Sequence, residues 1–219
     1  GPKEDCQKYP RQEKKDEIFA KKRNIDIIFY PSEKEMYPRS FLTYIEVDTI
    51  SQKLCGKFRP NHFKGVTTII AKLLNIVEPD NLYLGQKDFQ QAIILKKMIC
   101  DLNIPVRVRV CPTIREKDGL ALSSRNKYLS KIHRLEAPVL YKALKFGKKL
   151  IKNNQVTSKS LCKKVAQYIQ KNSSAKIQYV KCIRKEDLTT PQRLEGQVII
   201  MVALYLGKTR LIDNIKCKI

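Results

Sequence analysis

No apolar run in this chain approaches the roughly 18 residues of a membrane span. The first residues, Gly1-Pro2-Lys3-Glu4-Asp5, also lack the apolar core of a secretory signal. Both absences predict a cytoplasmic protein away from the bilayer. Cysteines at zinc or redox spacing are missing too: Cys6, Cys55, Cys100, Cys111, Cys162, Cys182 and Cys217 form an odd set without a C-x-x-C pair. Such a set suits neither a disulfide framework nor a zinc ribbon, so the thiols are read as reduced and mostly structural, with no metal site. Internal repeats and low-complexity tracts are absent as well.

Acidic residues are scarce, 21 against 44 Lys and Arg, for a net charge of +23. A field of that sign attracts phosphates, nucleic acid or anionic lipid. The basic residues are nevertheless scattered as Lys14-Lys15, Lys21-Lys22-Arg23, Lys96-Lys97, Lys148-Lys149 and Lys163-Lys164, mostly on polar helix faces. Without zinc-finger spacing, an RRM-like signature or an aromatic-plus-basic repeat, they argue against a dedicated nucleic-acid role. The 219 residues, 42% of them hydrophobic, suffice for one sizeable domain or two small ones.

Apolar periodicity predicts a charged helix over Gln12–Arg23 with Ile18 and Phe19 inward, then a buried strand over Ile25–Tyr30 ended by Pro31. Phe41–Val47 reads as extended, and Asp48 as the cap of a short helix leading to Gly56. From Phe63, the set Val66, Ile69, Ile70, Leu73, Leu74 and Val77 has helical spacing up to Pro79. Strand Leu82–Leu84, helix Asp88–Leu102 and strand Val106–Val110 follow, an alternation that predicts a parallel sheet with helices on both faces. After Pro112 the texture becomes polar and loop-like through Tyr128, which marks a domain boundary between 1–112 and 113–219. Beyond it, helices over Ser130–Ile151 and Ser158–Lys171 precede strands Ile177–Arg184, Gln197–Leu206 and Thr209–Ile215. The last two strands read as a hairpin through Gly207-Lys208, within a small α+β domain.

The segment Gly85-Gln86-Lys87-Asp88-Phe89-Gln90-Gln91 joins a strand to a helix. Such turns lie at the carboxyl ends of strands, where open α/β sheets bind ligands. A glycine permitting close approach, a helix N-terminus and a lysine together suit an anion. The alternative is an ordinary turn with solvated Lys87 and Asp88.

Around that turn, an ordered series of motifs resembles the pantothenate synthetase (pantoate–β-alanine ligase) family. It comprises Gly1-Pro2-Lys3-Glu4-Asp5, Tyr9-Pro10-Arg11, Met36-Tyr37-Pro38, Arg59-Pro60-Asn61-His62-Phe63-Lys64-Gly65-Val66 and Pro79-Asp80. The Gly85–Gln91 turn follows, then Asp101-Leu102-Asn103, Pro112 through Ala121, Leu122-Ser123-Ser124-Arg125-Asn126-Lys127-Tyr128-Leu129, and Leu211-Ile212-Asp213-Asn214-Ile215. The resemblance spans essentially the whole chain. It implies an α/β, Rossmann-like sheet of nucleotidylyltransferase type, followed by the α+β domain. The implied enzyme is a cytoplasmic homodimer that uses ATP with Mg²⁺ to activate pantoate as pantoyl adenylate. β-Alanine then attacks, releasing pantothenate, a coenzyme A precursor, and AMP.

By similarity, Lys87 and Asp88 face ATP, with Gly85 allowing close approach of the nucleotide. Ile114 and Leu122 match adenine-side positions, although the family often has Met where Leu122 stands. Ser123, Ser124 and Arg125 occupy the phosphate-binding loop, a counterpart of the KMSKS loop in related enzymes. Lys87, Ser123, Ser124 and Arg125 are thus the implied catalytic set. Gln91 resembles a glutamine that hydrogen-bonds pantoate; Arg59 and His62 border that pocket, and Ile69 and Ile70 form its apolar wall. Read alone, Arg59 suits a surface ion pair and His62 a capping or core histidine; Asp118-Gly119, Tyr128 and His133 read as structure.

The family's HxGH histidines and a following Asn-x-x-Gln segment do not occur in these 219 residues, whose histidines are His62 and His133. The resemblance therefore implies that these residues alone are inactive, with sheet edge left uncovered so that they self-associate or require the missing piece. The competing class is a non-catalytic nucleotide- or polyanion-binding module driven by charge.

Overall fold

The computed structural model describes residues 13–152 and 156–219. The motif residues of 1–11, Cys6 and the first residue of the predicted Gln12 helix lie outside the described residues. Helices α1 (Glu13–Lys21), α2 (Glu33–Met36) and α3 (Cys55–Phe58) precede the long α4 (His62–Val77). Strand β1 (Asn81–Gly85), a 3₁₀ turn over Gln86–Asp88, α5 (Phe89–Asp101) and β2 (Arg107–Cys111) form a β–α–β unit. Strands β1 and β2 are parallel, Asn81 opposite Arg107 and Gly85 opposite Cys111. Leu82, Leu84, Val106 and Val108 pack under Ala71 and Leu74 of α4 and Leu95 and Met98 of α5. Among the described residues the helices cover one face, whereas Tyr83, Arg107 and Arg109 point outward. Among the described residues the predicted cover on both faces is therefore found on one.

Two further expectations fail near the N-terminus. Ile18 and Phe19 are exposed rather than inward, and α1 buries nothing among the described residues. Ile25–Tyr30 joins no described strand and lies open, with Ile27 83% exposed. A strand becomes buried only when neighbouring strands satisfy its backbone and a layer covers its side chains, and neither described sheet includes this run. Phe41–Val47 is extended without joining a sheet. Thr68 Oγ1 accepts the Ile45 N–H at 3.0 Å and Thr67 Oγ1 donates to the Ile45 carbonyl at 2.6 Å, clipping the segment onto α4. Those contacts turn α4 so that Phe63, Thr67, Ala71 and Leu74 are buried, leaving Val77 open. Asp48 accepts hydrogen bonds from Thr49 and Gln52 in a turn, and the short helix starts only at Cys55.

The chain after Pro112 follows expectation more closely. A single predicted helix over Ser130–Ile151 is divided at Pro138 into α6 (Lys131–Glu136) and α7 (Val139–Lys152), since proline lacks the N–H and restricts its predecessor. Ser130 caps α6, and Thr157 caps α8 (Ser158–Asn172). Strands β3 (Lys176–Arg184), β4 (Gln197–Leu206) and β5 (Thr209–Lys218) form an antiparallel sheet in that order. Leu206 pairs with Thr209 across the expected hairpin, whose Gly207 has φ +57°.

Strand β4 is apolar without alternation because both its faces are covered. Val198, Ile200, Val202, Leu204 and Leu206 meet the α7 and α8 core, whereas Ile199, Met201 and Ala203 meet Phe89 and Tyr179. Burying a side chain of Phe89's size stabilises by about 1.5–3 kcal/mol. It also docks the start of α5, and with it the Lys87 turn, against the antiparallel sheet. Six cysteines among the described residues are free thiols, as expected, and no described helix is long and apolar enough to cross a membrane.

Candidate active site

A cleft of ≈ 70 Å³ opens where the Lys87 turn meets the β3–β4–β5 sheet. Its walls include Lys87 and Asp88 from the β1–α5 connection with Gln91 at the start of α5, Arg59 and His62 from the junction of α3 and α4, and Ser123 and Arg125 from the loop after β2. Arg210 of β5 completes the opposite side. Seven sequence-predicted site residues from three separate segments thus meet in one place. A wider hollow of ≈ 780 Å³ between Ile45–Ile50, α5 and Lys185–Asp187 contains none of them, so chemistry rather than volume locates the site.

The remaining predicted residues sit nearby or apart. Gly85 ends β1 at φ −81°, an ordinary extended conformation, and the space where a Cβ would stand is open. Its role therefore does not rest on glycine's conformational freedom. Ser124 begins a 3₁₀ turn over Ser124–Tyr128, capped by the Ser123 hydroxyl accepting the Arg125 N–H at 3.3 Å. Ile114 and Leu122 are joined by a Leu122 N–H to Ile114 carbonyl bond of 2.9 Å, and both side chains are exposed. Ile69 is half-buried outside the cleft lining, and Ile70 packs against the α4–α5 core.

Two devices hold the cleft walls. At the Lys87 turn, Asn214 of β5 donates its amide to the carbonyls of Gln86 at 2.9 Å and Lys87 at 3.0 Å. At the serine loop, Arg115 and Ala121 close a small hairpin, with Gly119 at φ +95° at its tip. A Cβ on Gly119 would stand 2.7 Å from the Tyr141 ring, so only glycine fits the turn. Arg115 donates to both Asp213 carboxylate oxygens, at 2.6 and 3.0 Å, and lies 3.7 Å over the Tyr141 ring. Burial pushes the Asp213 carboxyl above its ordinary value, and the guanidinium opposes that. Arg134 reaches Glu116 at 2.5 Å and Asp118 at 2.6 Å, while Asn126 donates to Glu116 at 2.9 Å. The Arg134 bond holds the Asp118 carboxyl below the ordinary carboxylate value.

Charge defines what the cleft accepts. Arg59, Lys87, Arg125 and Arg210 supply four basic side chains against Asp88 and Asp213, and Asp213 is engaged by Arg115. Arg59 Nη1 donates to His62 Nε2 at 2.9 Å, which fixes the orientation of both side chains. Arg210 escaped the sequence reading because it lies within an ordinary strand pattern without a local motif. Its guanidinium is held by Gln178 Oε1 at 3.0 Å and points to Cys55 Sγ at 3.5 Å. Tyr179 lies beside it, its phenol pushed up to about 12 by burial and therefore neutral. Among the described residues, no group of three or more His, Cys, Asp or Glu could hold a metal ion.

A strand-to-helix lysine turn facing a serine–arginine loop across a cationic cleft suits two anions brought together. The Pantoate-beta-alanine ligase family model matches residues 1–216. The chain belongs to the pantoate–β-alanine ligase family. Pantothenate synthetase of Caldicellulosiruptor bescii is 46% identical over 215 residues, 98% of this chain and 76% of that protein. The Sulfurihydrogenibium enzyme of the same name is 47% identical over 217 residues, 99% of this chain and 78% of that protein. In structure, pantothenate synthetase from Thermus thermophilus superposes with a TM-score of 0.94 at 35% identity, covering 98% of this chain and 78% of that one. The pantoate-beta-alanine ligase of Francisella tularensis, solved with beta-gamma ATP and beta-alanine, gives 0.74 at 36% identity, covering 98% and 73%. In this member of the pantoate–β-alanine ligase family, the cleft has the turn after β1 and the start of α5 on one side and the C-terminal antiparallel sheet on the other.

Proposed function

We propose that this cleft is the part of the adenylation site that these residues supply to their family's reaction, the ATP-dependent ligation of pantoate to β-alanine in pantothenate biosynthesis. The observation that supports it most is the convergence of Lys87 and Gln91 with Ser123 and Arg125, from the two sides of Pro112, on one cationic cleft. A pantoate carboxylate oxygen attacks the α-phosphorus of ATP, the bond to the bridging oxygen breaks, and pyrophosphate leaves. The β-alanine amine then attacks the acyl carbon of pantoyl adenylate, and AMP departs with the electrons of the broken acyl–oxygen bond. Both steps need opposed anions held close and developing negative charge met by fixed donors.

Lys87 takes the phosphates, with Asp88 and Gly85 beside the nucleotide. Two hydroxyls, Ser123 and Ser124, and the Arg125 guanidinium hold pyrophosphate as it leaves. The exposed pair Ile114 and Leu122 offers an apolar face to adenine. Gln91 hydrogen-bonds pantoate, Arg59 and His62 border it, and Ile69 and Ile70 back that wall. A protein-built metal centre does not fit the described residues; Mg²⁺ arrives with ATP as part of the substrate. The working form is a cytoplasmic homodimer.

Pantoate-dependent ATP–pyrophosphate exchange tests the assignment in the native enzyme. Replacing a donor that meets developing charge costs about 10²–10³-fold, so Lys87→Ala and Ser124→Ala should each abolish most exchange. The 219 residues without the family's HxGH histidines should show none; robust exchange by them would remove any need for those histidines. The net charge of +23 favours a second reading, a polyanion-binding module. ATP binding that collapses with salt and ignores pantoate would support that module; binding enhanced by pantoate would support the ligase.

A further inference from the structure

Asn214 is buried to 1% exposure in the middle of β5, yet its carboxamide does not serve the sheet it sits in. Its two N–H donors go to the Gln86 and Lys87 carbonyls at 2.9 and 3.0 Å, and its oxygen accepts the Gln86 side-chain amide at 3.3 Å. Three bonds from one side chain therefore end on the turn that carries Lys87. The neighbouring residue, Asp213, points to the other face of the strand, where it accepts Arg115 at the base of the serine-loop hairpin. Successive strand residues point to opposite faces, so two adjacent positions of β5 grip the two walls of the cleft.

An apolar side chain would fill the Asn214 site without the cost of burying a carboxamide. What such a side chain could not do is fix the two carbonyls that bracket the Lys87 backbone. We infer that Asn214 is a positioning residue for Lys87: it holds the 86–88 turn so that the ammonium meets the ATP phosphates. The inference rests on the assignment of Lys87 to those phosphates. Asn214 itself is not among the residues that line the cleft, and its effect passes through the lysine.

A double-mutant cycle in the native enzyme, read by pantoate-dependent ATP–pyrophosphate exchange, tests this. Asn214→Ala should lower kcat/KM for ATP about tenfold, the worth of a pair of neutral hydrogen bonds, and leave pantoate affinity unchanged. In a Lys87→Ala background the same change should cost less than about twofold, because the group it positions is gone. Equal losses in both backgrounds, an unaltered Asn214→Ala enzyme, or a matching loss of pantoate affinity would each overturn the inference. If Lys87→Ala alone retains full exchange, the assignment of Lys87 fails and the inference falls with it, a result visible in the single variant. Should Asn214→Ala not fold, Asn214→Ser, which keeps one donor, should show an intermediate loss with the same background dependence; an equal loss in both backgrounds would again overturn it.

Discussion

The two walls of the cleft are held by different physics. The Lys87 turn is fixed by neutral amide bonds from a buried asparagine and by Phe89 packed on β4. The serine loop is fixed by charge: Arg115 on Asp213 in the interior, and Arg134 on Glu116 and Asp118 nearer the surface. Neutral bonds are indifferent to pH and salt over the working range, whereas partly exposed ion pairs weaken with both. One wall is therefore rigid and insensitive, the other adjustable. That division suits the proposed site, in which one element seats the nucleotide and the other receives a departing pyrophosphate.

The largest effect should come from breaking the interior pair of the charged wall. Asp213→Ala leaves Arg115, only 18% exposed, without its counter-ion. Loss of one partner of a buried pair costs about 3–5 kcal/mol, and urea denaturation should record a drop of that order. Next comes Gly119→Ala, which meets both the +95° φ and the Tyr141 ring; about 1–3 kcal/mol is expected for such overpacking, with impaired exchange from the displaced loop. Arg134→Ala removes pairs about one-third exposed and should cost less than about 1 kcal/mol of stability. It should nonetheless flatten the salt dependence of exchange, a signature the neutral wall cannot produce.

The smallest effect concerns acid. The folded Asp118 carboxyl lies below its ordinary value through Arg134. Its stabilising contribution is thus complete above the ordinary carboxylate value and is lost as pH falls through the depressed folded value. Amide hydrogen exchange across 116–126 should accelerate in that window while the 86–91 turn stays protected, and Arg134→Ala should erase the difference. Equal acceleration at both walls would dissolve the contrast between them.

Much of this arrangement was legible in the sequence, for reasons that differ by region. Strands β3 to β5 were readable because their apolar runs are bounded by turns and their partners are local in the chain. The Gly85–Gln91 turn and the serine loop were readable as motifs, and Lys87, Gln91, Ser123 and Arg125 do meet. Ile25–Tyr30 carries as strong an apolar run yet lies open, because pattern announces a need for burial and cannot supply the partner. The buried face of α4 shifted toward Thr67 because two hydroxyl contacts to Ile45 weigh more than an extra isoleucine. Arg210 and Asn214 were illegible as site residues, since each sits in a regular strand and only tertiary placement brings it to the cleft. Asn214 lies 127 and 128 positions along the chain from the two turn residues it holds.

The central claim is that both walls serve one adenylation step. Its most direct test is pantoate-dependent ATP–pyrophosphate exchange by the native enzyme beside Lys87→Ala and Ser124→Ala, with folding checked by circular dichroism. Both folded variants should lose about 10²–10³-fold, one from each wall; wild-type exchange by either variant would contradict the account.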